Sequence, residues 1–359
     1  MARTSLCQAS NGISQWRVDD SWLFQEVHAL NSFTVGLRLR SGLGTPLKAE
    51  TLWGHLCWGI RYCQGHAALE EWLSRYDQGS APLILSDPFP AGFRPRPCLP
   101  GVVSSEIPTR KDADLRKGVN RIRWLSTQSF DSLRRDMSAD RLVTILSDKA
   151  AQQPAAMVET SMTHAGINRL TGGTEQPDGG ALFTSSATFC DTASQQDQAG
   201  LFEVLVRSPE SAETIQQWFR DGLQAGYGRD AATGMGQIDV TEVSENQFTP
   251  VPEANAVMLL SSAVPRRGDP HRGFFSIGVH SGRVGGEFAI GLMPDGSSNR
   301  QKYPVRTLLT GTVLLTDSAD QFCVGQVLSG IHSWEGLRHY GLGLTIPVRV
   351  PGILYESCF

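Results

Sequence analysis

Within residues 211–240 an amphipathic helix, a loop with glycine at 226, 228, 234 and 236, and an alternating strand follow one another. No other feature narrows the possible folds of this chain so far. Glycine takes up positive φ without a Cβ penalty and lets a backbone or a phosphate approach closely. The loop is not a nucleotide-hydrolysis loop, because no Lys-Ser or Lys-Thr follows its glycines. It is not a dinucleotide fingerprint either, since there the glycines lie between strand and helix, the reverse order. Two readings stay open: a site for an RNA backbone, held by outward N–H groups of Gly226, Gly228, Gly234 and Gly236, or a tight helix-to-strand connection.

With 359 residues and 40% apolar content, the chain can build one large or two ordinary hydrophobic cores. No apolar run approaches the ~18 residues of a membrane span and no signal-peptide pattern opens the chain, so a soluble, cytoplasmic protein without a membrane partner is expected. The seven cysteines (7, 57, 63, 98, 190, 323, 358) are scattered without zinc-ligand spacing and read as reduced thiols. A net charge of −4 argues against a free-standing nucleic-acid binder. The charge is uneven, however. Between Arg94 and Arg123 stand eight Lys/Arg against three acids. A basic segment on a mildly acidic chain suits a subunit that grips RNA with one face and protein with another.

Residues 1–30 read as an N-terminal extension. Phe33–Arg40 alternates as a strand, and a helix starting near Thr45-Pro46 carries Leu52, Trp53, Leu56, Cys57 and Ile60 on one face up to Gly65. Residues 80–101, with six prolines, read as irregular, and 128–149 as helical. Strands are expected at Leu182–Cys190, Leu201–Arg207 and Met235–Val240, with a helix over Ser211–Gln224. Setting aside an insertion at about 95–155, the order is β-α-β-β-α-β, the ferredoxin-like arrangement of RNA-recognition sheets. Beyond Pro250 short strands follow, at 256–262, 274–280, 311–315 and 322–327. A second glycine loop, Tyr340–Pro347, suggests a duplicated unit. The fold expected is α+β: tandem ferredoxin-like domains, 31–250 and 251–359, with a thumb-like insertion in the first.

Four ordered segments resemble one family: Leu47–Trp58 (LKAETLWGHLCW), Leu85–Pro90 leading to Arg96–Pro100, His164–Gly172 with Gly180–Phe183, and the Gly226–Gly236 loop. Together they resemble the RAMP superfamily of CRISPR proteins, and more narrowly the fourth Csm subunit of type III-A effector complexes, a member of the Cas-five group. The resemblance implies ferredoxin-like RNA-binding folds and a non-catalytic role. It also implies a grip on the repeat-derived 5′ tag of the CRISPR RNA, beside the large signature subunit and the first backbone subunit. In the wider group an insertion of this kind forms a thumb that clamps RNA. The chain departs from the pattern at Glu50, where an aspartate usually precedes Thr51, and has fewer consecutive lysines after Pro100.

Lys48 and Thr51 stand at the start of the first helix, where free N–H groups favour an anion, or else Lys48 is solvated and Thr51 caps locally. Arg169 can pair with a phosphate bidentately, Asn168 can read a base edge or cap a turn, and His164 is a polar contact in the same cluster. Arg229 and Asp230 can pair to hold the glycine loop in shape. Arg110, Lys111, Arg116, Lys117, Arg121 and Arg123, with Ile122 and Trp124 interleaved, form the basic segment. Trp53, Trp58 and Trp218 share faces with Leu and Ile and read as core. Two further functions compete: a metal-independent RNA-processing ribonuclease using His55 or His164 as base, and a protein bridge without RNA contact. No metal or cofactor site is expected, because the motif acids lack His or Cys partners.

Overall fold

The computed structural model describes residues 30–100, 121–147, 153–174, 182–191, 199–289, 292–296, 298–318 and 321–352. The N-terminal extension and Arg110, Lys111, Arg116 and Lys117 lie outside them. At the centre of the first half is β1 (Asn31–Leu39), whose Phe33, Val35 and Leu37 point into a core while the residues between are less buried. Two helices follow, α1 (Ala49–Gln64) and α2 (His66–Asp77), separated only by Gly65 at φ 96°. Leu52, Leu56 and Ile60 recur at helical spacing on the buried side of α1. Burying each such side chain is worth about 1.5–3 kcal/mol.

Next along the chain are the short strands β2 (Ile84–Leu85), β3 (Phe89–Pro90), β4 (Phe93–Pro95) and β5 (Trp124–Ser126). The helices α3 (Thr127–Arg134) and α4 (Ala139–Ser147) follow. A ribbon of β6 (Met157–Ala165) and β7 (Leu182–Cys190) precedes β8 (Leu201–Ser208), α5 (Ala212–Leu223) and β9 (Ile238–Glu245). Ser211 caps α5 by accepting the Thr214 N–H at 3.3 Å. The sheet runs β2-β8-β1-β9, all antiparallel, with β3 also on β8. This is the strand order of a ferredoxin-like sheet. Helices α1 and α5 cover one face, crossing so closely that a Cβ on Gly59 would lie 2.5 Å from the Gly222 nitrogen.

Two expectations are corrected here. Leu182–Cys190 is a strand, but it pairs with β6 and not with the main sheet. The sheet's second strand is instead β2 with β3, inside the segment read as irregular. Pro90 is tolerated because β3 sits at the sheet edge, where a missing N–H costs no ladder bond. That proline-rich segment is also the seam between the halves. The Leu85 N–H donates to the Tyr340 hydroxyl at 2.8 Å, the Asp87 N–H to the Leu260 carbonyl at 2.9 Å, and the Cys98 N–H to the Gly311 carbonyl at 2.7 Å.

The second half is built on β10 (Ala256–Leu259), β11 (Gly273–Phe274), β14 (Val313–Leu315), β15 (Cys323–Gly325) and β16 (Leu342–Val348), in the order β11-β14-β10-β16-β15. A separate two-stranded ribbon joins β12 (Ile277–His280) to β13 (Val305–Leu308). The glycines at 341 and 343 do not form a loop. Gly343 lies within β16, where its missing Cβ admits Ala263 and Leu259. Among the described residues of this half there is no α-helix of strand-connecting length. Its sheet is covered by α3 and α4: Phe130, Leu133, Met137, Leu142 and Leu146 pack with Met258, Val313, Leu344, Ile346 and Val348. Arg134, fully buried, ties α3 to this sheet by donating to the carbonyls of Pro347 and Thr249. Residues 127–147, read as part of a thumb-like insertion, are therefore a core layer. No helix among the described residues is long and apolar enough to cross a membrane.

Candidate nucleic-acid interface

The glycine loop folds back on the N-terminal side of α1. Asp230 and Gly234, at φ 63° and 91°, flank a single 3-10 turn. The Gly236 N–H donates to the Gly42 carbonyl at 2.7 Å and the Gly226 N–H to Leu223 at 2.9 Å. The Gly228 N–H donates to His55 Nε2, the Arg229 N–H to Thr45 Oγ1, both at 2.9 Å. The Gly234 N–H donates to Ala231 at 3.0 Å. The glycines exist for close approach: a Cβ on Gly236 would lie 2.0 Å from the Tyr227 carbonyl oxygen, and one on Gly228 2.6 Å from the Thr45 side chain. The four glycine N–H groups are thus engaged within the protein, which corrects the reading in which they face a phosphate. Arg229 and Asp230 pair as expected, at 3.3 Å, and Arg229 also reaches the Ser186 carbonyl at 2.5 Å.

Lys48 and Thr51 are likewise drawn inward. The Ala49 N–H at the start of α1 donates to Asp87 Oδ1 at 2.9 Å, and Lys48 Nζ pairs with Asp87 Oδ2 at 2.8 Å. A carboxylate from the seam therefore fills the place where a phosphate was expected. Burial opposes charge on Lys48, but Asp87 and Glu50 outweigh it and raise its pKa. Thr51 lies beside the buried Tyr227 hydroxyl, which donates to the Pro46 carbonyl and accepts the Lys48 N–H. Glu50 bridges the two halves through its carboxyl. Its longer side chain reaches His280 Nδ1 at 3.5 Å in the other half, and burial, reinforced by Asp87, raises its pKa to about 7. Sequence reasoning did not assign Asp87 or Tyr227 a role. Asp87 sits in a quoted motif, but its partners lie 38 and 223 residues away.

His55 accepts the Gly228 N–H, and burial lowers its pKa to about 4. It is a neutral brace for the loop, not a poised base.

The ribbon behaves differently. β6 and β7 pair from Met157↔Cys190 to Ala165↔Leu182. The base is anchored beside the glycine loop: Leu43 and Thr188 exchange backbone hydrogen bonds at 2.8 and 2.9 Å, and the Phe189 ring fills the space over Gly42. Away from the base, His164 stacks on its cross-strand neighbour Phe183 (centroids 5.1 Å, planes at 17°) and meets Ser185 Oγ at 2.7 Å. The tip turn is tightened by Asn168, whose Oδ1 accepts the Leu170 N–H at 2.9 Å, so this residue is a turn former. Arg169 is exposed and makes no ion pair among the described residues. Around it Leu170 (96% exposed), Leu182 (70%), Ile167 (66%) and Phe183 (58%) present apolar surface to solvent. The structure brings His164, Asn168 and Arg169 together with this apolar set. Arg121 and Arg123 are exposed near β5, which pairs with β4 and belongs to another part of the surface. Trp124 packs edge-on to Phe89. Among the described residues no group of three or more His, Cys, Asp or Glu could hold a metal ion.

No family model matches the chain, and no curated protein matches it in sequence. Solved structures do match in fold. One is a chain from a crystal structure of a Csm1-Csm4 cassette in complex with AMPPNP, at 15% identity and TM-score 0.52, covering 89% of this chain and 99% of the other. Another, from the same cassette in complex with pppApA, is 16% identical at TM-score 0.52, covering 90% and 99%. A third, from a Csm3-Csm4 subcomplex in the type III-A CRISPR-Cas interference complex, is 11% identical at TM-score 0.52, covering 89% and 99%. The chain shares its mixed α+β fold with these proteins over nearly its whole described length.

Proposed function

We propose that this chain is a non-catalytic RNA-binding subunit of a type III CRISPR effector complex, of the fourth-Csm, Cas-five type. It holds the repeat-derived 5′ tag of the CRISPR RNA and anchors the large signature subunit and the first backbone subunit. The two halves, with their corresponding strand orders, act as tandem ferredoxin-like units. The observation that carries the reading is the exposed β6–β7 ribbon on a fold that chains from such assemblies match over 89% of this chain. Leu170, Leu182, Ile167 and Phe183 form an exposed apolar group beside Arg169, which has no ion pair among the described residues, and such a patch marks an interaction site. Single-stranded RNA uses both: bases stack on or are wedged apart by Phe183, His164 and Leu170, while Arg169 takes a phosphate. The basic segment with Arg110, Lys111, Arg116, Lys117, Arg121 and Arg123 adds a sequence-independent hold on the backbone.

Ultraviolet crosslinking of the chain, co-expressed with its neighbours and a CRISPR array, tests this. Crosslinks from residues 164–183 and 105–126 to the 5′ repeat-derived nucleotides are expected. An intact complex without RNA crosslinks to this chain would overturn the reading in favour of a protein bridge.

A further inference from the structure

The second ribbon carries an edge that nothing in the described structure covers. In β12 the residues alternate: Gly278 and His280 turn inward, His280 towards Glu50, while Ile277 and Val279 remain 63% and 67% exposed. The backbone alternates with them. The Leu309 N–H donates to the Ser276 carbonyl at 2.9 Å, so Ser276, Gly278 and His280 bond across to β13. The N–H and C=O groups of Ile277 and Val279 therefore face away from the ribbon, and they have no hydrogen-bond partner among the described residues. The far side of β13 is held by a bridge from Leu308 to Ala263, which leaves β12 as the open edge.

Edge strands are normally guarded by a charge, a proline or a bulge. From Gly273 to Gly282 the sequence GFFSIGVHSG has none of the charged residues or prolines that guard an edge, and burial together with Lys302 and Lys48 keeps His280 neutral. Arginines stand at the margins instead. Arg306 lies directly across from Val279 on the same face, and Arg283 follows the strand; both are exposed and without an ion pair among the described residues. We propose that β12 is a docking edge for an extended segment of a partner protein, which adds to the ribbon as a third strand. Its apolar side chains meet Ile277 and Val279, and its carboxylates meet Arg306 and Arg283. RNA fits less well, because it cannot complete a peptide ladder, and between the arginines the face offers the aliphatic Ile277 and Val279, with a half-exposed ring only at Phe275, just before the strand. A second copy fits less well too. Antiparallel self-pairing brings Arg272 of one strand near Arg283 of the other. The inference stands apart from the RNA reading, which concerns the other ribbon.

The test uses the full chain and a synthetic heptapeptide alternating valine and threonine, with glutamate at both ends. Two controls accompany it, one with lysine ends and one N-methylated on its ladder-forming amides. Amide hydrogen exchange should show protection at Ile277 and Val279 with the glutamate peptide. Binding should be roughly five- to tenfold weaker with lysine ends, as expected for two exposed pairs, and absent with the N-methylated peptide. Val279→Pro removes one outward N–H without breaking a ladder bond and should abolish binding at unchanged melting temperature. Arg306→Glu should narrow or reverse the preference for glutamate ends. Equal binding of both charged peptides, or no protection at these amides, would overturn the proposal. Protection by a single-stranded oligoribonucleotide, or by the chain's own concentration, would also overturn it by assigning the edge to RNA or to self-association.

Discussion

The glycine loop and the β6–β7 ribbon touch one another, yet they solve opposite problems. In the loop the four glycine N–H groups and the Arg229 N–H have protein acceptors, and the glycines are there because other backbone occupies the space of a Cβ. In the ribbon the two strands bond only to each other over most of their length, and the side chains at the far end have little to pack against among the described residues. A motif dense in glycine thus proved to be a joint, while an apolar and cationic strand pair with no such signature presents the free chemistry. Engaged backbone marks architecture, and unsatisfied side chains mark an interface.

The contrast can be broken at either end. Gly236→Ala should have the largest effect, since it forces a side chain into φ 64° and against the Tyr227 carbonyl. A loss of about 4 kcal/mol or more is expected, read as a large fall in melting temperature. If the variant folded normally and lost only RNA, the loop would be a binding site after all. Asp87→Ala removes the acceptor for Ala49, Lys48 and Thr310 together and should cost about 3 kcal/mol. Chemical denaturation would show whether the halves then separate. Phe183→Ala should leave stability within about 0.5 kcal/mol while weakening tag retention by about 1–3 kcal/mol. The opposite pattern, lost stability with retained RNA, would make the ribbon architectural.

A smaller effect sharpens the comparison at the seam. Glu50, whose pKa burial and Asp87 raise to about 7, has a lower value in the unfolded chain. The folded state therefore holds its proton more tightly, and its contribution to stability falls as pH rises from about 4.5 through 7. The neutral histidines act in the other direction. His280 and His339, both lowered first by burial, oppose folding as pH falls below their unfolded value. Comparing Glu50→Gln with the parent isolates the first term: the variant should gain relative stability between pH 5 and 8, on the order of 1–3 kcal/mol. A pH-independent difference would mean that the carboxyl stays charged throughout.

Local pattern made much of this molecule legible. The alternation of Phe33, Val35 and Leu37 placed the central strand, and the periodic faces of residues 52–60 and 215–223 placed the two helices that cover it, because both periods reflect one buried side. The mixed α+β architecture expected from the sequence is shared with chains of the Csm1-Csm4 and Csm3-Csm4 structures. Partner choice was not legible. Leu182–Cys190 had the pattern of a sheet strand, but two-residue β2, inside a proline-rich stretch, took the sheet position, since an edge needs only a few ladder bonds. Residues 128–149 read as helical, and the described part of them forms two helices, Thr127–Arg134 and Ala139–Ser147, without any sign in the sequence that they would cover the second sheet, because an apolar face states that it is buried and not against what. The same limit applied to Lys48 and the glycine loop. Their residue types suit a phosphate, and only the tertiary structure could show that Asp87, His55, Thr45 and Gly42 had reached those positions first. Sequence determines which groups must be satisfied; the long-range folding of the chain decides whether the protein satisfies them itself or leaves them for a partner.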